Sequence, residues 1–138
     1  MSAQEQKNIK EKYYSEANRY IDNAERLIKK AQKHGNYFDD AKYVRMASGT
    51  AYLGVLMAVD GYLITKGQTK KELPKSIEIY RMYLSKLDKK LLRHLNITYD
   101  ILHLAGYYGG NITNSIWKEG IQEAVKVIEK INPEHSNS

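Results

Sequence analysis

The sequence predicts an all-α protein, an antiparallel bundle of four long helices plus one short helix in a single domain over residues 1–138. Three observations predict it. Apolar residues recur at steps of three and four through most of the chain, the period of one helix face. No alternating, β-branched run of strand length outcompetes those steps. The two prolines, Pro74 and Pro133, both fall at edges of the periodic segments, and Gly35-Asn36 and Gly109-Gly110-Asn111 mark two further edges.

The first helix is expected over about 5–34, with Ile9, Tyr13, Ala17, Tyr20, Ala24, Leu27 and Ala31 on one stripe, Ile21 and Ile28 widening it, and Gly35-Asn36 as its stop. The second, about 40–66, starts at an Asp39 or Asp40 cap. One of its faces reads Val44, Ala47, Ala51, Gly54, Ala58, Gly61, nearly all small, which invites close approach of another backbone. Its other side carries Tyr52, Leu53, Leu56, Met57, Leu63 and Ile64, so the helix reads as central and buried by neighbours on several sides.

A short third helix, about 75–86, has Pro74 at its first turn and Ile77, Tyr80, Leu84 and Leu87 at helix spacing. A break near Ser85 to Asp88 is favoured, because one helix through residue 108 is long for a domain of this size. The fourth helix, about 88–108, carries Leu91, Leu95, Thr98, Leu102 and Ala105. The fifth, about 114–131, starts at Thr113 or Asn114 and has Ile116, Gly120, Ala124, Val127 and Ile131 on its core side, with Trp117 just beyond it. Residues 133–138 read as a frayed tail.

Composition narrows the chemistry. With 28% charged and 42% hydrophobic residues the chain is an ordinary globular sequence. It has no cysteine, hence no disulfide, thiolate ligand or cysteine nucleophile. Residues 1–8 are polar and lack the apolar core of a secretion signal, and the apolar stretch 52–64 is interrupted by Asp60, too short and polar for a membrane span. A cytoplasmic protein without a membrane partner is expected.

Candidate site residues are few. Asp60 lies between Val59 and Gly61 in the most apolar helix, where an unpaired carboxylate is costly, so a partner such as Arg81 or Arg93 is expected. Tyr99, Asp100, His103 and Tyr107 can line one helical side. Together Asp60, Arg93, Tyr99, Asp100, His103 and Tyr107 form a candidate polar pocket, either a structural hydrogen-bond network or a binding site. None is assigned as catalytic. No metal or other cofactor is expected: there is no HExxH and no repeated Glu-x-x-His. The loop 109–115 enters a helix N-terminus, where capping by its own polar residues or an anion are both open readings, but it is not a P-loop. The 12 tyrosines against one Phe and one Trp suit amphipathic boundaries or an oligomer interface.

Several stretches carry a family resemblance: Lys42-Tyr43-Val44-Arg45-Met46-Ala47, Thr50-Ala51-Tyr52, and the run from Tyr99-Asp100-Ile101-Leu102-His103 to Tyr107-Tyr108, with the Gly120 helix. They resemble a small uncharacterised all-helical family of Bacteroides-type bacteria, and the layout is similar to that of the HEPN superfamily, which implies helical ribonucleases or partners of minimal nucleotidyltransferases. The ribonucleases carry Arg, four to six residues, then His. Here Arg93 and His94 are adjacent and Arg26 is separated from His34 by seven residues, so the motif is not completed.

A non-enzymatic bundle that self-associates as a dimer or binds a protein partner is therefore the first functional expectation. The alternative is a nucleotide- or RNA-directed enzyme or nucleic-acid-binding module. The net charge of +6 bears on that alternative. Residues 66–93 hold nine Lys or Arg and three acids, and so carry the whole excess. Lys70, Lys71, Lys86, Lys89 and Lys90 define a candidate basic surface, for an acidic partner or a phosphate backbone, or simply solvated lysine.

Overall fold

A computed structural model describes residues 1–135; the last three residues of the expected tail lie outside the described residues. The fold is an all-α bundle with one two-stranded hairpin.

Helix α1 (Ala3–Lys29) opens on a reciprocal cap in which the Ser2 hydroxyl accepts from the Glu5 amide and the Glu5 carboxylate accepts from the Ser2 amide, both at 3.1 Å. It buries Tyr13, Ala17, Ile21, Ala24 and Ile28. The helix stops at Lys29, five residues short of the expected end. The chain then forms β1 (Lys33–His34) and β2 (Tyr37–Phe38), paired antiparallel, with Lys33 opposite Phe38 and His34 opposite Tyr37. Gly35 takes φ +60° at the first central position of the turn, where a tight hairpin favours glycine. The Gly-Asn pair expected to stop a helix makes a hairpin instead.

Helix α2 (Ala41–Thr65) starts where the Asp40 carboxylate accepts from the Lys42 amide at 2.9 Å. Its small-residue face packs on α1. A Cβ added at Gly54 would lie 2.9 Å from Cβ of Tyr20, and one at Gly61 would lie 2.5 Å from Cβ of Tyr13. By length and composition α2 is apolar enough to cross a membrane, but 67% of its most apolar window is buried inside the bundle, which fits the core helix of a soluble protein.

A 3-10 turn at Lys70–Glu72 leads to α3 (Ile77–Leu87), capped by Ser76. Pro74 is buried ahead of the helix rather than in its first turn. Asp88 separates α3 from α4 (Lys89–Thr98), and its carboxylate accepts from the Leu91 amide at 2.9 Å. Residues expected to continue α4 form a π-helix instead, the π segment (Tyr99–Tyr108). Its i→i+5 bonding widens the turn. The segment is clamped on two sides. A Cβ at Gly106 would fall 2.2 Å from Oγ of Ser48 on α2, and a Cβ at Gly120 would fall 2.7 Å from Leu102. The Arg45 guanidinium donates to the carbonyls of Tyr107 and Tyr108 and so closes the C-terminal end.

Helix α5 (Asn114–Glu129) buries Trp117, Gly120, Glu123, Ala124, Val127 and Ile128, so its core face turns toward Trp117 and away from half-buried Ile116. The hairpin caps it from across the chain: the Asn36 carbonyl accepts from the Asn114 amide at 2.7 Å, and the Asn36 side chain accepts from the Ser115 amide at 3.0 Å. Those bonds occupy two of the free N–H groups at this helix start, those of Asn114 and Ser115. The common core runs through Ala17, Ala24, Val44, Val55, Leu63, Leu84, Leu95, Leu102 and Ile131, each at most 1% exposed.

Candidate functional site

The π segment brings Tyr99, His103 and Tyr107 together. They are four residues apart, and a widened turn brings such positions toward alignment. The His103 ring lies 5.1 Å from Tyr99 and stacks on Tyr107 at 5.9 Å, centroid to centroid. Tyr52 of α2 completes the row, 4.9 Å from His103, and Tyr108 meets His103 edge-on at 5.0 Å. The Arg81 guanidinium covers the outer face of Tyr99 at 4.9 Å and donates to the Asn96 side chain at 2.7 Å. Burial holds the His103 imidazole below its ordinary pKa, which favours the neutral ring. Burial likewise pushes the Tyr52 hydroxyl up, so it stays protonated.

Tyr52, His103 and Tyr107 of this row line a groove of about 510 Å³ along α2. Met46, Gly49, Leu53 and Leu56 line its floor at steps of three, four and three, the spacing of a helix–helix seam. Leu27 of α1 closes one side and His103 with Tyr107 the other. No Asp, Glu, Lys or Arg lines it. The seam is open: Leu53 is 52% exposed, Met46 44% and Tyr107 46%. Neighbours bury α2 on several sides, as expected, and this face is the one they leave open. A second depression of about 270 Å³ adjoins it across Tyr52, Leu56 and His103, walled by Pro74, Ile77 and Tyr80.

The other expected pocket residues go elsewhere. Asp60 pairs with neither Arg81 nor Arg93; it accepts from the Tyr80 hydroxyl at 2.7 Å. Burial pushes its carboxyl up to about 6, against the opposing pull of that hydrogen bond. Arg93 points into a different groove, between α4 and α5, with Asp88, His94 and Lys126. Asp100 is exposed on the π segment and does not line the aromatic groove. The six-residue pocket therefore divides into an aromatic row of Tyr99, His103 and Tyr107, a half-buried Asp60 held by Tyr80, and two separate residues. Lys70, Lys71, Lys86, Lys89 and Lys90 are all exposed, and none forms an ion pair among the described residues. Among those residues no group of three His, Asp or Glu side chains is placed to hold a metal.

Arg45 and Met46 stood out only within a stretch carrying the family resemblance, and Leu53 only as part of the apolar side of α2. The 3-4-3 spacing of 46, 49, 53 and 56 was the available signal, hidden because α2 is apolar on nearly every face.

Fold and groove together define a helical bundle that leaves an uncharged aromatic seam open to solvent. The chain belongs to the DUF5618 family, a domain of unknown function whose model matches residues 12–133. It is also similar to a solved protein of unknown function from Dyadobacter fermentans, with 34% identity and a TM-score of 0.76 over 95% of this chain and 96% of that one. No curated protein matches the sequence.

Proposed function

We propose that the protein is a non-enzymatic association module of the cytoplasm, and that the α2 seam is its contact surface. One observation carries this reading: nine residues line an open groove without a single formal charge among the Asp, Glu, Lys and Arg types that make up 28% of the chain. Contact surfaces are depleted of charge at their centres and enriched in Tyr and Met, and exposed apolar patches on soluble proteins mark such surfaces. We take a second copy of the chain as the occupant. Met46 and Leu53 are exposed two turns apart along this groove, and an apolar face can pack against its own copy about a two-fold axis. The neutral His103 ring and the buried Tyr52 hydroxyl add no charge that an apolar partner would have to desolvate. Measuring molar mass by light scattering over a range of concentrations tests it: a mass near two chains supports the dimer, and Leu53→Glu returns it to one.

A second reading rests on the five unpaired lysines. They favour a nucleic-acid or acidic partner, in keeping with the HEPN-like layout that the sequence resembles. Binding of RNA or DNA through many phosphate contacts would weaken steeply as salt rises, and binding insensitive to salt contradicts it.

A further inference from the structure

We propose that the groove between α4 and α5 is a binding site for a phosphate group carried on a small organic molecule, independent of the α2 seam. The groove has a volume of about 580 Å³. Beneath it lies Glu123, a carboxylate only 7% exposed. It is held by His94 Nδ1 at 3.1 Å and Lys126 Nζ at 3.2 Å. Burial alone would push the Glu123 carboxyl up, but His94 and Lys126 outweigh it and hold the group below its ordinary value. The carboxylate is therefore ionised, and an ionised carboxylate only accepts hydrogen bonds. Nδ1 of His94 must carry the proton toward Glu123. That fixes the ring and leaves Nε2 for the groove that His94 lines.

The charges around His94 are unevenly committed. Asp88 is paired with Lys130 at 2.9 Å and caps α4. Glu129 accepts from the Tyr14 hydroxyl and from the Asn132 amide, each at 2.9 Å. Both acids of the groove are thus occupied. Lys90 and Arg93 are exposed and form no ion pair among the described residues. An uncommitted guanidinium fork and a lysine around one cleft are donors that a phosphate group takes, and with the ring proton on Nδ1 the Nε2 of His94 is an acceptor for the hydroxyl of a monoprotonated phosphate. Leu91 and Val125 supply an apolar wall for the organic part of the ligand. Glu123 acts as a positioning residue, through His94.

The test is NMR on ¹⁵N-histidine-labelled protein, titrated with inorganic phosphate and with adenosine monophosphate at constant ionic strength set by sodium chloride. His94→Gln assigns the His94 signals among the four histidines. The expected result is a saturable shift of the His94 ring nitrogens, tighter for the monophosphate ester. Arg93→Ala should weaken binding about tenfold, the scale of one lost charge-assisted contact. Glu123→Gln should weaken it and also change the ring-nitrogen shifts of the free protein, because the proton is no longer fixed on Nδ1; a purely structural role would leave that signature intact. Lys70→Ala with Lys71→Ala should leave affinity unchanged. The proposal is overturned if the shifts track chloride as they track phosphate, if Arg93→Ala changes nothing, or if the Lys70 and Lys71 changes weaken binding as much as Arg93→Ala does. A single-stranded RNA oligomer that binds equally well to the Arg93→Ala variant would also overturn it, by placing the phosphate chemistry on the outer lysines.

Discussion

The Tyr80 hydroxyl donates to Oδ1 of Asp60 at 2.7 Å, tying α3 to the C-terminal half of α2. The carboxyl is pushed up to about 6 by burial, so at neutral pH the bundle holds a partly desolvated anion with that phenol as its hydrogen-bond donor. Because its folded value lies above the ordinary 3.8, the folded state binds the proton more tightly than the unfolded chain does. Stability from this group is therefore full below about 3.8 and is lost as pH rises through about 6. Asp60→Asn keeps an acceptor for Tyr80 without the charge. It should melt higher than the native protein at pH 7.5, with the difference closing as pH falls toward 4. Parallel melting curves across that range check the sign.

Tyr80→Phe removes the donor and leaves the carboxylate inside without it. A loss of about 1–3 kcal/mol at pH 7.5 is expected, from the desolvation cost of an unsatisfied polar group. The loss should shrink at pH 5, where Asp60 is protonated. Urea unfolding at the two pH values checks it; equal losses would mean that the hydroxyl matters only for packing.

Gly106 lies against Ser48, and a Cβ there would fall 2.2 Å from Oγ and 2.5 Å from Cβ of that serine. Gly106→Ala should push the π segment off α2 and cost about 1–3 kcal/mol, the range for an overpacked contact. Ser48→Gly in the same chain should recover part of the loss, which thermal unfolding of the single and double variants measures. Gly54→Leu should be worse than Gly106→Ala, because Tyr20 Cβ and the Ala17 carbonyl already stand 2.9 and 3.0 Å from the added carbon.

Arg45→Ala removes the donor to the carbonyls of Tyr107 and Tyr108. Hydrogen exchange at the end of the π segment and in the loop that follows should quicken, while the α1–α2 core stays protected, and global stability should fall by about 1 kcal/mol. Uniform loss of protection along the chain would count against a local role.

Much of this fold was legible in residue spacing, because helices announce themselves by period. The small face of α2 pointed to a close contact, and Gly54 and Gly61 make it with α1. Asp88 capped where the break was expected. What failed were features that period does not encode. Gly35-Asn36 suits a helix end and a hairpin turn equally, and only the pairing of Lys33 with Phe38 decides between them. A π-helix keeps the apolar residues that an α-helix would use, and the contacts of Gly106 and Gly120 hold its wider turn. The candidate pocket was legible in part: the i, i+4 row of Tyr99, His103 and Tyr107 came together, whereas Arg93 left it because its place on α4 faces α5. The open seam at Leu53 was illegible, since on a helix apolar all round no residue type tells a covered face from an uncovered one.

We propose that this uncovered face joins two copies of the chain. Sedimentation velocity of the native protein and of Leu53→Glu, over a hundredfold range of concentration, tests it most directly. A reversible dimer is expected for the native chain and a folded monomer for the variant, with matching circular dichroism. A native protein that stays monomeric throughout, or a variant that dimerises as well as the native chain, would contradict it.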